Sequence, residues 1–147
     1  MHIVVGNDHA GPELKSQITK HLKAQGHTVT DVGTDSTASV DYSDFAAQAA
    51  AMVVSGQADL GILVCGSGVG IGISANKVHG IRCVICSEPY SALMSRRHNN
   101  ANMLSLGARV VGIDLALMIV DAFLAGEFEG GRHQRRVDKI SALDDAR

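Results

Sequence analysis

The run Leu60-Gly61-Ile62-Leu63-Val64-Cys65 carries no charged or hydroxyl side chain and passes directly into Gly66-Ser67-Gly68-Val69-Gly70-Ile71-Gly72, where glycine takes every second place. A strand that is apolar throughout, rather than at alternate positions, has both faces covered, which is the condition inside a parallel sheet between helix layers. The glycines strip side chains from the turn that follows and point its N–H groups toward a helix start, an arrangement suited to a negative oxygen. One segment thus predicts an α/β class and a place to look for chemistry.

The rest of the chain agrees with that class. Strand-like runs recur at His2–Asn7, 28–32, Leu60–Cys65, 81–87 and 103–106, with segments of helical spacing between most of them. The first helix is expected to open at Gly11-Pro12, since proline tolerates the first turn, and to stop near Gly26. Asp41 reads as the N-cap of the alanine-rich stretch 42–55, which Gly56 ends. A short helix is expected within the glycine-rich segment, and further helices over about 89–97, 114–125 and 132–143. Right-handed crossovers leave few arrangements for five parallel strands. The simplest is a doubly wound sheet of order 2-1-3-4-5 with helices on both faces.

With 147 residues the chain suffices for one domain, 1–147, and no linker or internal repeat divides it. Three Phe, two Tyr and no Trp mean that its core must be aliphatic. A net charge of −2 argues against a general nucleic-acid binder, which needs a broad excess of Lys and Arg. The apolar stretches are broken by Gly, Asp or Ser before they reach the length of a bilayer span, so no membrane partner is expected. Met1–Gly6 runs straight into a strand without an apolar leader, so the expected compartment is the cytoplasm. Three cysteines fit reduced thiols better than a disulfide framework. Cys83 and Cys86, an odd number of positions apart along a strand, should point to opposite faces and serve as buried filler rather than as a redox pair.

In doubly wound sheets ligands bind beyond the carboxyl ends of the strands. Those ends carry Asp8-His9, then Cys65 with its glycine loop, then Ser87-Glu88, then Gly107-Ala108-Arg109. A phosphate-binding P-loop fails on spacing, because Lys77 follows Asn76 rather than glycine. A dinucleotide fingerprint fits better: Gly70-Ile71-Gly72-Ile73-Ser74-Ala75 matches G-x-G-x-x-A, with Glu88 in place for a ribose hydroxyl. That keeps a nucleotide-binding sensor without chemistry as a second reading. It leaves Cys65 and Ser67 unexplained.

A thiol at a strand end facing a helix N-terminus is favoured as the thiolate. Proton abstraction beside a carbonyl also needs donors aimed at the developing enediolate oxygen, and the amides of Gly66, Ser67, Gly68, Val69 and Gly70 supply them. His98-Asn99, after Arg96-Arg97 at a helix end, reads equally as a C-cap and as an acid able to protonate a ring oxygen. Asp8-His9 is either a helix cap or a pair of working groups. Arg132 and Arg136 lie four apart, hence on one helix face, which suits a phosphate dianion and equally a solvated surface. His21, His27 and His79 show no metal-ligand spacing.

Taken in order, Gly6-Asn7-Asp8-His9-Ala10-Gly11, Asp41-Tyr42, Cys65-Gly66-Ser67-Gly68-Val69-Gly70, Ala75-Asn76-Lys77, Cys86-Ser87-Glu88-Pro89-Tyr90-Ser91, Arg97-His98-Asn99 and Gly130-Gly131-Arg132-His133 resemble the type B ribose-5-phosphate isomerases, in the superfamily shared with galactose-6-phosphate isomerase subunits. The resemblance spans nearly the whole chain. It implies a Rossmann-like sandwich, a dimer or dimer of dimers whose sites are completed by the neighbouring subunit, a helix near 132–143 at the dimer interface, and no metal or organic cofactor. By position, Cys65 resembles the base that moves a proton between C1 and C2, and the loop amides with Asn99 resemble the enediolate cradle. Ser67 stands where relatives often have Thr and keeps the hydroxyl. His98 resembles the acid that opens the furanose ring, Asp8 the partner of the anomeric hydroxyl, and Tyr42 a wall against the sugar. His9, Arg109, Arg132 and Arg136 resemble a phosphate clamp. The implied reaction is the interconversion of D-ribose 5-phosphate and D-ribulose 5-phosphate, with allose 6-phosphate, galactose 6-phosphate or a four-carbon phosphate as alternative substrates.

Overall fold

The apolar run at 60–65 and its neighbour at the N-terminus form the centre of the sheet. In the computed structural model, which describes all 147 residues, strand β1 is His2–Asn7 and β3 is Leu60–Cys65, hydrogen-bonded in parallel. Between them lie α1, Pro12–Ala24, β2, Thr28–Asp31, and α2, Tyr42–Val54. After β3 come α3, Val69–Asn76, β4, Cys83–Ile85, α4, Pro89–Asn99, β5, Met103–Gly107, α5, Ile113–Ala125, and α6, Arg132–Asp145. Pro12 opens α1 and Asp41 holds the N-cap position of α2, though its carboxylate makes no capping hydrogen bond. No helix is long and apolar enough to cross a membrane.

All five strands are parallel, and their order is β2-β1-β3-β5-β4, not 2-1-3-4-5. The exchange of the last two has a physical cause. Strand β5 is buried at every position, whereas β4 has three residues, of which Cys83 and Val84 are half-buried and Ile85 is 37% exposed. The fully buried strand takes the place beside β3, and the short one goes to the edge. Ser105 makes β5 look less apolar than Cys83-Val84-Ile85, but its hydroxyl is satisfied by donating to the Gly68 carbonyl at 2.5 Å. The apolar character of Cys83-Val84-Ile85 thus does not mark a strand covered on both faces.

The sheet separates two cores. Ile3, Val5, Ile18, Leu22, Ile62, Leu104, Ile119 and Phe123 pack on the side of α1, α4 and α5. Val4, Ala46, Ala49, Ala50, Leu63, Cys65, Ile71 and Met103 pack on the side of α2 and α3. Alternation along β1, with Val4 on one face and its neighbours on the other, produces the three layers. A Leu→Ala change in either core would cost about 2–5 kcal/mol. Cys83 flanks one core and Cys86 the other, as an odd separation requires. Burial pushes their thiols up to about 12 and about 11, so both stay protonated.

Helix α6 differs from the rest. Only His133 and Val137 are buried on it, while Ile140 and Leu143 are 41% and 71% exposed, so it presents an uncovered apolar edge.

Candidate active site

At the carboxyl ends of β1, β3 and β5 lies an open cleft of about 630 Å³, lined by Asp8, Tyr42, Cys65, Gly66, Ser67, Val69, Gly70, Ile73, Arg109 and Val110. Strand β3 delivers Cys65 to its floor, where the side chain packs on the α2–α3 core and stays 4% exposed. The chain then reverses through Gly68, in the left-handed region at φ 79°. A Cβ there would also stand 2.7 Å from the Leu106 carbonyl carbon, so only glycine fits.

This turn determines where the loop amides go. Gly68 N–H donates to Cys65 Sγ at 3.1 Å, and Val69 N–H donates to Ser67 Oγ at 3.2 Å. Those two amides, expected in the oxyanion cradle, are therefore committed within the loop. The amides of Gly66, Ser67 and Gly70 have no acceptor within the chain and border the cleft. The loop thus has two functions: one donor orients the sulfur, and three remain for a ligand oxygen.

Glycine at 66 and 70 lets two larger side chains close over the loop. A Cβ at Gly66 would meet the Arg109 guanidinium at 3.1 Å, and one at Gly70 would meet the Tyr42 ring at 2.6 Å. Asp8 is 5% exposed; its Oδ1 accepts from Ala10 N–H at 2.9 Å, a turn that prepares the start of α1. The Asp8 carboxylate is thus held by its own turn and forms a wall of the cleft. His9 does not line the cleft, and its Nδ1 accepts from Val40 N–H at 3.2 Å, which leaves the neutral ring's proton on Nε2.

His98, Asn99, Arg132 and Arg136 do not line the cleft either. At the end of α4, the His98 ring stacks on that of His133, with centroids 4.3 Å apart and planes 7° apart. Glu129, in the connection before α6, accepts from Arg97 Nε through Oε2 at 2.5 Å. Its Oε1 lies 3.9 Å from His98 Nε2 and 3.6 Å from His133 Nε2. The hydrogen bond from Arg97 holds the Glu129 carboxyl below the usual carboxylate range, helped by the charge of Arg97 and of the two histidines. His133 loses proton affinity first through burial, then through the charges of His98 and Arg132, against the pull of Glu129. Asn99 lies in the last turn of α4 and gives its carbonyl to Arg82 Nε at 3.0 Å.

The atoms of His98, Glu129 and His133 lie within 4.8 Å of one another, close enough to suggest a metal site. Two imidazoles lying face to face, however, send their in-plane lone pairs along nearly parallel lines, and these do not converge on one ion. Glu88 does not await a ribose: its carboxylate caps α4, accepting from Ser91 N–H at 3.0 and 3.1 Å. Gly72 of the dinucleotide fingerprint packs against Ile85, where a Cβ would sit 2.4 Å away. That pattern therefore reflects close packing beneath β4. Sequence reasoning missed Glu129, which lies in a glycine-rich connection with no periodicity. The one available signal was its spacing of four from His133.

Over residues 3–140 the sequence matches the ribose/galactose isomerase family. The chain belongs to this family. Ribose-5-phosphate isomerase B of Escherichia coli strain K12 is 54% identical over 145 residues, covering 99% of this chain and 97% of that protein. Among solved structures, ribose-5-phosphate isomerase B of Clostridium thermocellum superimposes with a TM-score of 0.98 at 53% identity, covering 99% of both chains. The same enzyme of Mycoplasma genitalium, solved with bound ribulose-5-phosphate, gives 0.94 at 42% identity, covering 99% of this chain and 97% of that one. Membership of the ribose/galactose isomerase family, with fold agreement along the whole chain, displaces the nucleotide-sensor reading: this is a sugar-phosphate isomerase.

Proposed function

We propose that the protein interconverts D-ribose 5-phosphate and D-ribulose 5-phosphate through a cis-enediolate, with Cys65 as the general base. The observation that carries this reading is the Gly68 N–H donating to Cys65 Sγ in a cleft also bounded by Ser67, Asp8 and Arg109. With the open-chain aldose in the cleft, the Cys65 thiolate takes the proton from C2. The C–H electron pair becomes the C1=C2 bond, and the carbonyl oxygen O1 becomes the enediolate oxygen, received by the free amides of Gly66, Ser67 and Gly70. The O2 proton passes to O1, with the Ser67 hydroxyl as the neighbouring carrier, and the thiol returns its proton to C1. C1 is reduced as C2 is oxidised, so the reaction balances without an external electron acceptor.

Asp8 holds the anomeric hydroxyl and His98 protonates the ring oxygen as the furanose opens. Arg109 takes the phosphate together with His9, Arg132 and Arg136, and Asn99 supports the enediolate. Because His98, Asn99, Arg132 and Arg136 lie off the cleft of their own chain, this reading has them serve a neighbouring copy in a dimer or dimer of dimers. The apolar edge of α6 at Ile140 and Leu143 supports such a contact, as do Val69, Ile73 and Val110 exposed at the cleft rim. The free thiols favour the cytoplasm.

A coupled isomerase assay across four-, five- and six-carbon aldose phosphates tests the reading. The highest kcat/KM is expected for ribose 5-phosphate, and a preference for a six-carbon substrate would overturn the assignment.

A further inference from the structure

The cluster at the end of α4 contains two groups, Glu129 and His133, that the reaction above leaves unused. His133 is 7% exposed, lies face to face with His98 at 4.3 Å, and is anchored in the first turn of α6. Glu129 is tied to α4 twice: its amide donates to the Arg97 carbonyl at 3.0 Å, and its carboxylate accepts from Arg97 Nε. Its other oxygen faces both imidazoles.

We propose that Glu129 and His133 are positioning residues for His98, the ring stack fixing its plane and the shared carboxylate holding a single proton on the pair. Two imidazolium rings stacked at this distance repel, so the pair holds one proton over the range in which an acid is useful. Which ring holds it is decided by surroundings. His133 is buried and faces Arg132 and Arg136 from its own helix, both of which oppose its charging. His98 is 38% exposed on its own chain and escapes that burial. Arg97 on α4 would oppose a charge on either ring, but it is neutralised by Glu129. The pair's proton therefore falls to the ring spared those penalties, opposite a carboxylate that stays ionised.

This inference rests on His98 being the ring-opening acid, and the experiment separates the two claims. The substrates are ribose 5-phosphate, mostly a furanose, and a four-carbon aldose phosphate, which cannot close that ring because its C4 oxygen carries the phosphate. In Glu129→Gln the shape is kept and the charge removed. The alkaline limb of the kcat/KM profile with ribose 5-phosphate should move down by about half a pH unit. The sign follows because an acid stripped of its counter-charge gives up its proton sooner as pH rises. The four-carbon substrate should be handled at the wild-type rate.

An unmoved alkaline limb overturns the role of Glu129, since a purely structural carboxylate would leave it in place. For the stack, His133→Ala should lower turnover of ribose 5-phosphate about tenfold while His133→Phe, which keeps an aromatic face, recovers most of it. Equal losses in both variants overturn the bracing role. Failure of the underlying reading shows separately: His98→Asn would then lose as much on the four-carbon substrate as on ribose 5-phosphate.

Discussion

Around Cys65 the working groups are held by backbone, and around His98 they are held by other side chains. The cleft is made where three strands end, its sulfur is oriented by the Gly68 amide, and its donors are N–H groups that the turn leaves free. The α4–α6 cluster is a stack of two rings and three guanidinium groups on two helices, with one carboxylate from the connection between α5 and α6. Backbone geometry of this kind is fixed as soon as the sheet forms, which suits the base proposed for Cys65, since such a group must meet a carbon-bound proton within a fraction of an ångström. In the proposed roles, side chains braced by one another serve a ring oxygen and a phosphate, which need less exact placement than a carbon-bound proton. On the reading proposed above, the first region stands within one chain, whereas the second serves the cleft of a neighbouring copy.

Substitutions that hit one region and spare the other test that division. The largest effect is expected from Cys65→Ala, a fall in kcat of about 10³-fold on ribose 5-phosphate and on a four-carbon aldose phosphate alike. Near-wild-type turnover in a coupled assay would remove the thiol from the mechanism. His98→Asn should cost about 10²-fold on ribose 5-phosphate and little on the four-carbon compound, a contrast that steady-state kinetics on both substrates measures directly. Arg132→Ala should raise KM about tenfold with kcat nearly kept, as expected for a phosphate contact equally strong in ground and transition states. Smallest is Glu88→Ala: loss of the α4 cap should lower Tm by about 2–4 °C in a thermal melt and leave kcat/KM unchanged. A loss of activity there would reopen a ligand role for this carboxylate.

Much of the molecule was legible in the sequence because strong local signals and tertiary packing agree. The apolar run at 60–65 fixed β3 to the residue, and Pro12 and Pro89 marked the starts of α1 and α4. Strand order was not legible, because Cys83-Val84-Ile85 looks more buried than a strand containing Ser105, until Ser105 is seen bonded to the Gly68 carbonyl. Cys65, Ser67, Asp8, Tyr42 and Arg109 were read as site residues, and they line one cleft. What the sequence could not reveal is how the loop divides its amides, since that depends on the left-handed turn at Gly68 rather than on the count of glycines. Glu129 was invisible for a similar reason: a carboxylate in an aperiodic connection gains meaning only from what stands opposite it.

A subunit-mixing experiment tests the central claim, that one copy supplies the thiol and another the acid. Cys65→Ala and His98→Asn chains, each nearly inactive on ribose 5-phosphate, are unfolded together in equal amounts and refolded. Random pairing makes half the dimers mixed, each with one site that carries both wild-type groups, so the account predicts recovery to about a quarter of wild-type activity. A mixture no more active than the average of its two parents would contradict it.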